Sequence, residues 1–223
     1  MDGRGAPASS YASSMPATLR LFTDFVCPFC FIAEESTVPR LLREHDLTLD
    51  WCGFELHPGT PAGGRPLASL FPGVDLLGLH QQTKRFAARF DVTGFEPPNT
   101  LRNSRRALAL AELARDRGRL APYRQAVLRA HWRERKNIED LDELLAIAVA
   151  VGLDADEARA APDSRVLLER VDARQQVARR AGVHGIPTFV FVADGRAETV
   201  VGCQSYEVLA QAARRAGVGP ATG

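Results

Sequence analysis

In the stretch FTDFVCPFCFIAEE, Cys27 and Cys30 stand two residues apart where a strand-like run gives way to a helix-like one. From Ala17 to Thr23, Leu19 and Leu21 alternate with Thr18 and Arg20, the period of a half-buried strand. After Cys27 the run CPFCFIAEESTVPRLLREHD has Pro28 in a first turn, where its missing N–H costs nothing. Glu34 and Glu35 come before Arg40 and Arg43, the charge order a helix dipole favours. A helix is expected here, kinked at Pro39. Leu47, Leu49 and Trp51 then alternate with Thr48, Asp50 and Cys52 as a second strand. Two strands joined through a helix form a right-handed βαβ unit with parallel neighbours, which commits the chain to an α/β fold.

Past FELHPGTPAGGRP, strand signals vanish for over a hundred residues and helical spacing takes over. Helices are expected over Leu76 to Phe90, around Ala107, Leu110, Ala111 and Ala114, from Pro122 to Arg135, and around Leu141, Leu144, Leu145 and Ala148. Asp140 and Glu143 read as a capping box, and a last long helix runs from Ser164 to Ala181 before Gly182. The run from Thr188 to Val192, a turn at Asp194-Gly195 and Thr199 to Val201 form a β-hairpin. Ser205 then caps a closing helix with Val208, Leu209, Ala212 and Ala213 on one face. The expected organisation is a disordered leader over 1–16, a βαβ part over 17–60 and an all-helical insert over 61–181. A hairpin and helix over 182–217 close the chain.

The 28 Lys and Arg against 27 Asp and Glu give a net charge of +1, which supplies no field to gather nucleic acid or an anionic membrane. The N-terminal stretch is polar and lacks the apolar run of a secretory signal, and no segment approaches the ~18 apolar residues of a membrane span. A cytoplasmic location is expected. Four cysteines, Cys27, Cys30, Cys52 and Cys203, make no disulfide framework of the secreted kind.

A thiol reacts as its thiolate, and free backbone N–H groups at a helix start favour that form of the first cysteine of a Cys-x-x-Cys. The second, about one turn along, can attack the mixed disulfide formed by the first. Cys27 is the expected nucleophile and Cys30 the resolving thiol. The competing reading, half of a structural zinc site, lacks a second Cys-x-x-Cys. The five histidines His45, His57, His80, His131 and His184 form no ligand pair, so no metal and no bound cofactor are expected.

The strand-CPFC-helix opening, the long helical insert and GIPTFVF before a hairpin resemble the DsbA family of thioredoxin-fold thiol oxidoreductases, specifically its FrnE-like branch. FELHPGTP, NTLRNSRRALALA and GVHGIPTFVF are similar to motifs of that branch, and the likeness runs from Leu19 to Ala216. It implies an α/β, thioredoxin-like fold with an inserted helical subdomain. It also implies a cis Ile186-Pro187 bond facing Cys27, with the Ile186 backbone offering strand-like hydrogen bonds to substrate. Pro28, Phe29, Gly185 and Ile186 would line the substrate site, with Pro187 beside the catalytic pair. The chain departs from the best-known member at Phe29, which replaces a histidine and can supply no charge.

Asp24, three residues before Cys27, is a candidate proton partner for Cys30 or else a partly solvated turn cap, and His184, close in sequence to the proline loop, is a candidate for tuning Cys27 against the alternative of a surface or packing residue. The other histidines read as surface or packing residues. Cys52 and Cys203, on strands at opposite sides of a four-stranded sheet, would lie on the order of 14 Å apart, too far for a disulfide. They read as buried small residues. The expected partners are protein or glutathione-like thiol and disulfide substrates and a second copy of the chain. Two rival readings stand: a glutathione-dependent isomerase or transferase of the 2-hydroxychromene-2-carboxylate isomerase and kappa-class type, and a non-enzymatic thiol or metal-binding module.

Overall fold

The computed structural model describes residues 17–221. The leader expected over residues 1–16 therefore lies outside the described residues. Strands β1 (Thr18–Thr23) and β2 (Thr48–Gly53) pair in parallel, with Leu19 opposite Leu49 and Leu21 opposite Trp51. Antiparallel strands β5 (Thr188–Ala193) and β6 (Arg196–Val201) complete a four-stranded sheet in the order β2-β1-β5-β6. The hairpin turns at Asp194 (φ 48°) and Gly195 (φ 75°), two left-handed positions of the kind that match strand twist in a two-residue connection.

Between β1 and β2 the chain forms α1 (Pro28–Glu35) and α2 (Thr37–Glu44). The break falls at Ser36, not at the expected Pro39. A proline ring collides with the carbonyl four residues back, here Glu35, so Pro39 sits inside α2 while the distortion appears a turn earlier. Ser36 keeps its place by donating its hydroxyl to the Ile32 carbonyl at 2.6 Å.

Between β2 and β5 lie α3 (Leu67–Leu70), α4 (Leu76–Ala88), α5 (Arg105–Asp116), α6 (Leu120–Trp132), α7 (Leu141–Ala150), α8 (Ala155–Ala160), a 3-10 turn at Ala161–Asp163 and α9 (Arg165–Arg180). The region is not strand-free: β3 (Arg65–Pro66) pairs with β4 (Thr100–Leu101), each too short to show a period. The caps at Asp140 and Asp154 each accept two amide N–H bonds. Glu143 does not reach back to close a box, and its carboxylate pairs with Lys136 at 3.1 Å. Ser205 stands at the N-cap of α10 (Tyr206–Arg215) but makes no side-chain cap bond.

The helical region is bolted to the sheet at several places. A Cβ on Gly53 would sit 2.7 Å from Leu108 of α5, so β2 ends where the helix approaches closest. Trp132 at the end of α6 stacks on Phe31 at 5.5 Å and donates to the Phe25 carbonyl at 2.8 Å. Beneath α1, the buried Glu34 carboxylate accepts from Thr23 at 2.8 Å, from the Trp51 indole at 3.1 Å and from Arg124 of α6. A buried carboxylate needs such partners, since an uncompensated charge would be costly in the core.

Candidate active site

β1 delivers the chain into a tight turn in which the Cys27 amide donates to the Asp24 carbonyl at 3.3 Å. Cys27 keeps extended dihedrals (φ −91°, ψ 118°) as the N-cap residue of α1, Pro28 opens the helix, and no acid stands in the first turn. The first helical bond runs from the Phe31 amide to the Cys27 carbonyl at 3.1 Å, leaving the amides just ahead of it without a partner in the helix. Cys30, one turn on, is fully buried. Burial first, and then the neighbouring Cys27, push its thiol well above the usual range, with the Thr23 hydroxyl and the Asp24 backbone pulling back. The two cysteines are thus unequal.

Across from α1, the Ile186–Pro187 bond is cis, and the Ile186 carbonyl accepts from the Cys27 thiol at 3.8 Å. The loop is pinned at both ends: Gly202 donates to the Pro187 carbonyl at 2.7 Å and Thr188 to the Gly185 carbonyl at 2.6 Å. Gly185 thus shapes the loop without lining the cavity onto which Cys27 opens, whereas Pro28, Phe29 and Ile186 do line it. Phe29 is 40% exposed and packs edge-on to Phe86 of α4 at 5.3 Å.

Asp24 is buried, and burial pushes its carboxyl up to about 6 against the pull of the Leu56 amide, which donates to Oδ2 at 2.8 Å. Its other oxygen is buried without a partner. His184 is exposed and absent from the lining of the Cys27 cavity. The histidines that do line it are His57, His80 and His131, of which His131 is 3% exposed with its pKa pushed down to about 4 by burial. His131 is buried, as its reading as a packing residue expects, and it also lines the Cys27 cavity, which α6 reaches only through tertiary docking.

Cys52 is buried, its thiol pushed up to about 11 by burial. Cys203 is half-buried rather than buried, and follows β6 next to the pinned Pro187 loop. Burial and then the nearby Cys27 push its thiol up to about 12. Both cysteines are free and stand on opposite edge strands' sides of the sheet. A larger open groove, about 920 Å³, runs along α1, α2, α4 and α10 past Cys203 but does not include Cys27 or Cys30. Among the described residues no group of three or more His, Cys, Asp or Glu is placed to hold a metal, and no helix is long and apolar enough to cross a membrane.

This arrangement of a strand, a Cys-x-x-Cys helix start and a cis-proline loop, with helices set between β2 and β5, defines a DsbA-like thioredoxin fold. The chain belongs to the DSBA-like thioredoxin domain family, which matches residues 18–214. It is similar to the crystal structure of a probable DsbA oxidoreductase, SCO1869 from Streptomyces coelicolor, with a TM-score of 0.78 and 25% identity over 90% of this chain and 89% of that one. A 2-hydroxychromene-2-carboxylate isomerase shares the fold at a TM-score of 0.69 and 23% identity, over 89% of this chain and 95% of the other. The cytosolic disulfide reductase DsbM from Pseudomonas aeruginosa, also solved with glutathione, shares it at 0.60 and 21%, over 82% and 88% of the two chains.

Proposed function

We propose that the chain is a cytoplasmic thiol:disulfide oxidoreductase that exchanges disulfides with thiol substrates through Cys27 and Cys30. The carrying observation is the inequality of the pair: Cys27 caps α1 against the Ile186 carbonyl, and Cys30 lies fully buried behind it with its proton held tightly. In the reducing direction the Cys27 thiolate attacks a substrate sulfur, the first substrate thiolate leaves, and a mixed disulfide forms. Cys30 then attacks Cys27 and the second thiolate leaves, closing the Cys27–Cys30 disulfide. Cys30 must lose its proton for that second step. Asp24, buried in the adjoining turn with its carboxyl at about 6, is the acceptor we assign. Glutathione is a fitting electron donor, as a DsbM structure holds it.

The test is trapping. Cys30→Ser treated with glutathione disulfide is expected to carry one glutathione on Cys27 by mass spectrometry, and Cys27→Ser none at the site. Full turnover by Cys27→Ser would overturn the assignment. A second reading, glutathione-dependent isomerisation, is favoured by the opening of Cys27 onto a largely apolar cavity and by the isomerase neighbour. It leaves Cys30 without a role, so turnover retained in Cys30→Ser would select it.

A further inference from the structure

Asp24 has a second carboxylate for a neighbour. The chain leaving β2 runs along the turn after β1: the Phe54 amide donates to the Thr23 carbonyl at 2.8 Å, and the Leu56 amide to Asp24 Oδ2 at 2.8 Å. Between those two rungs stands Glu55, 6% exposed. Burial raises the Asp24 carboxyl first, and the Glu55 charge adds to it, against the pull of the Leu56 amide, the nearby Ser104 hydroxyl at the start of α5 and the Val26 backbone. Cys30 of α1 meets the same turn, with the Asp24 backbone beside its thiol. Glu55 in turn is gripped from the helical region. Gln175 of α9 accepts from its amide at 2.9 Å and donates to its carbonyl at 3.2 Å. Arg105, the first residue of α5, donates Nη1 to Glu55 Oε2 at 3.0 Å and Nη2 to both oxygens of Asp172 of α9 at 2.8 and 2.9 Å. Asp172 is exposed to water, so it is the buried Glu55 that depends on this cation, and among the described residues no other cation pairs with it.

We propose that Arg105, acting through Glu55, is a positioning residue of the resolving step: the Arg105–Glu55 pair sets the pH range over which Asp24 accepts the Cys30 proton. The inference rests on the disulfide-exchange reading and its assignment of Asp24, and adds how that acceptor is regulated. In the step itself Cys30 gives its proton to Asp24, and its sulfur attacks Sγ of Cys27. Glutathione leaves the mixed disulfide as a thiolate that carries off the electron pair, and the Cys27–Cys30 disulfide closes. A bare Glu55 charge beside Asp24 would keep the acceptor protonated up to a higher pH, because a like charge disfavours ionisation. Arg105 offsets that field. Gln175 holds the Glu55 backbone on both sides, which keeps the Leu56 amide on Asp24 Oδ2.

The experiment loads Cys27 of the reduced protein with the 2-pyridyl disulfide of glutathione, which reacts fast enough that loading does not limit. The loss of the glutathione adduct is then followed by acid quench and mass spectrometry across the acid and neutral range. Arg105→Leu should move the acid limb of that rate up by about one pH unit, and Glu55→Gln should move it down by about half a unit. The double variant should fall between the two, near the parent, and Arg105→Lys, which keeps the charge, should stay with the parent. Opposite shifts from the two halves of one pair mark a charge effect, since mere loosening of the segment would move both the same way. Because Arg105→Leu can fail to fold, the carboxyl carbon resonance of Asp24 is also titrated in the parent, Glu55→Gln and Arg105→Lys, with the same order expected. Coincident midpoints in the parent and Glu55→Gln, or shifts of the same sign in Glu55→Gln and Arg105→Leu, would overturn the inference. An acid limb that survives in Asp24→Asn would remove the acceptor and this proposal with it. Glutathione trapping on Cys27 in Cys30→Ser stands apart from these results: if it succeeds while the midpoints do not move, the role of Arg105 fails and the redox reading survives.

Discussion

The sheet with α1 and the helices between β2 and β5 do different work at the same site. On the proposed function the sheet side supplies the reacting atoms: Cys27, Cys30, Asp24 and the Ile186 carbonyl all sit at the ends of β1, α1 and β5. The helical side supplies the other walls of the cavity onto which Cys27 opens, as Leu79, His80, His131 and Trp132 line it from α4 and α6. Reactivity is therefore set by local geometry in a few adjacent residues. Access is set by how well a separate helical layer stays docked, and changes on the two sides should fail in different ways.

The largest effect is expected on the sheet side. Cys27→Ser should lower glutathione-coupled disulfide reduction by about a thousandfold or more, the scale of losing a nucleophile, with the unfolding midpoint little changed. The joint between the regions comes next. Arg124→Leu strands the buried Glu34 carboxylate and should cost about 3–5 kcal/mol in denaturant unfolding. Glu34→Leu combined with Arg124→Leu should recover much of that loss, and no recovery would show that the pair does not act as a unit.

Asp24 offers a smaller effect with a definite sign. Its folded-state proton is held more tightly than in the unfolded chain, so burial costs nothing below about pH 4 and the penalty grows as pH rises through 6. The shift from 3.8 to about 6 corresponds to about 3 kcal/mol above that range. Asp24→Asn should therefore be more stable than the parent at pH 8 by up to that amount and equal to it at pH 3. In the parent, the rate at which Cys30 releases a mixed disulfide should fall as pH drops through 6, and the variant should lack that limb. The smallest effect lies in the helical layer: Asp140→Ala removes two amide bonds at the start of α7 and should cost about 1 kcal/mol with kcat unchanged. A changed kcat would break the division between the regions.

How much of this was legible in the sequence follows the same division. β1, α1, β2 and the hairpin are written in alternation, one proline and an Asp-Gly turn, all local signals, and Cys27 and Cys30 are read from spacing alone. Asp24 was legible as a neighbour in sequence, though its burial was not. The break at Ser36 was misplaced because a proline acts on the carbonyl a turn before it. β3 and β4 escaped because two residues carry no period. His80 and His131 lie on different helices and meet Cys27 only through docking, so single-sequence patterns favoured His184, near in the chain to Pro187 but exposed in the fold. The half-exposed position of Cys203 beside the cis-proline loop was hidden for the same reason.

The central claim is that Cys27 and Cys30 form one reversible two-electron couple. Equilibrating the protein in glutathione buffers, quenching with acid and alkylating the remaining thiols measures it directly. The account expects a single Nernstian transition in which Cys27 and Cys30 alone become protected. Its midpoint should lie on the reducing side of the roughly −120 mV of DsbA, because Phe29 adds no charge to stabilise the thiolate. Protection that pairs Cys27 with Cys203 or Cys52, or no transition at any glutathione ratio, would contradict it.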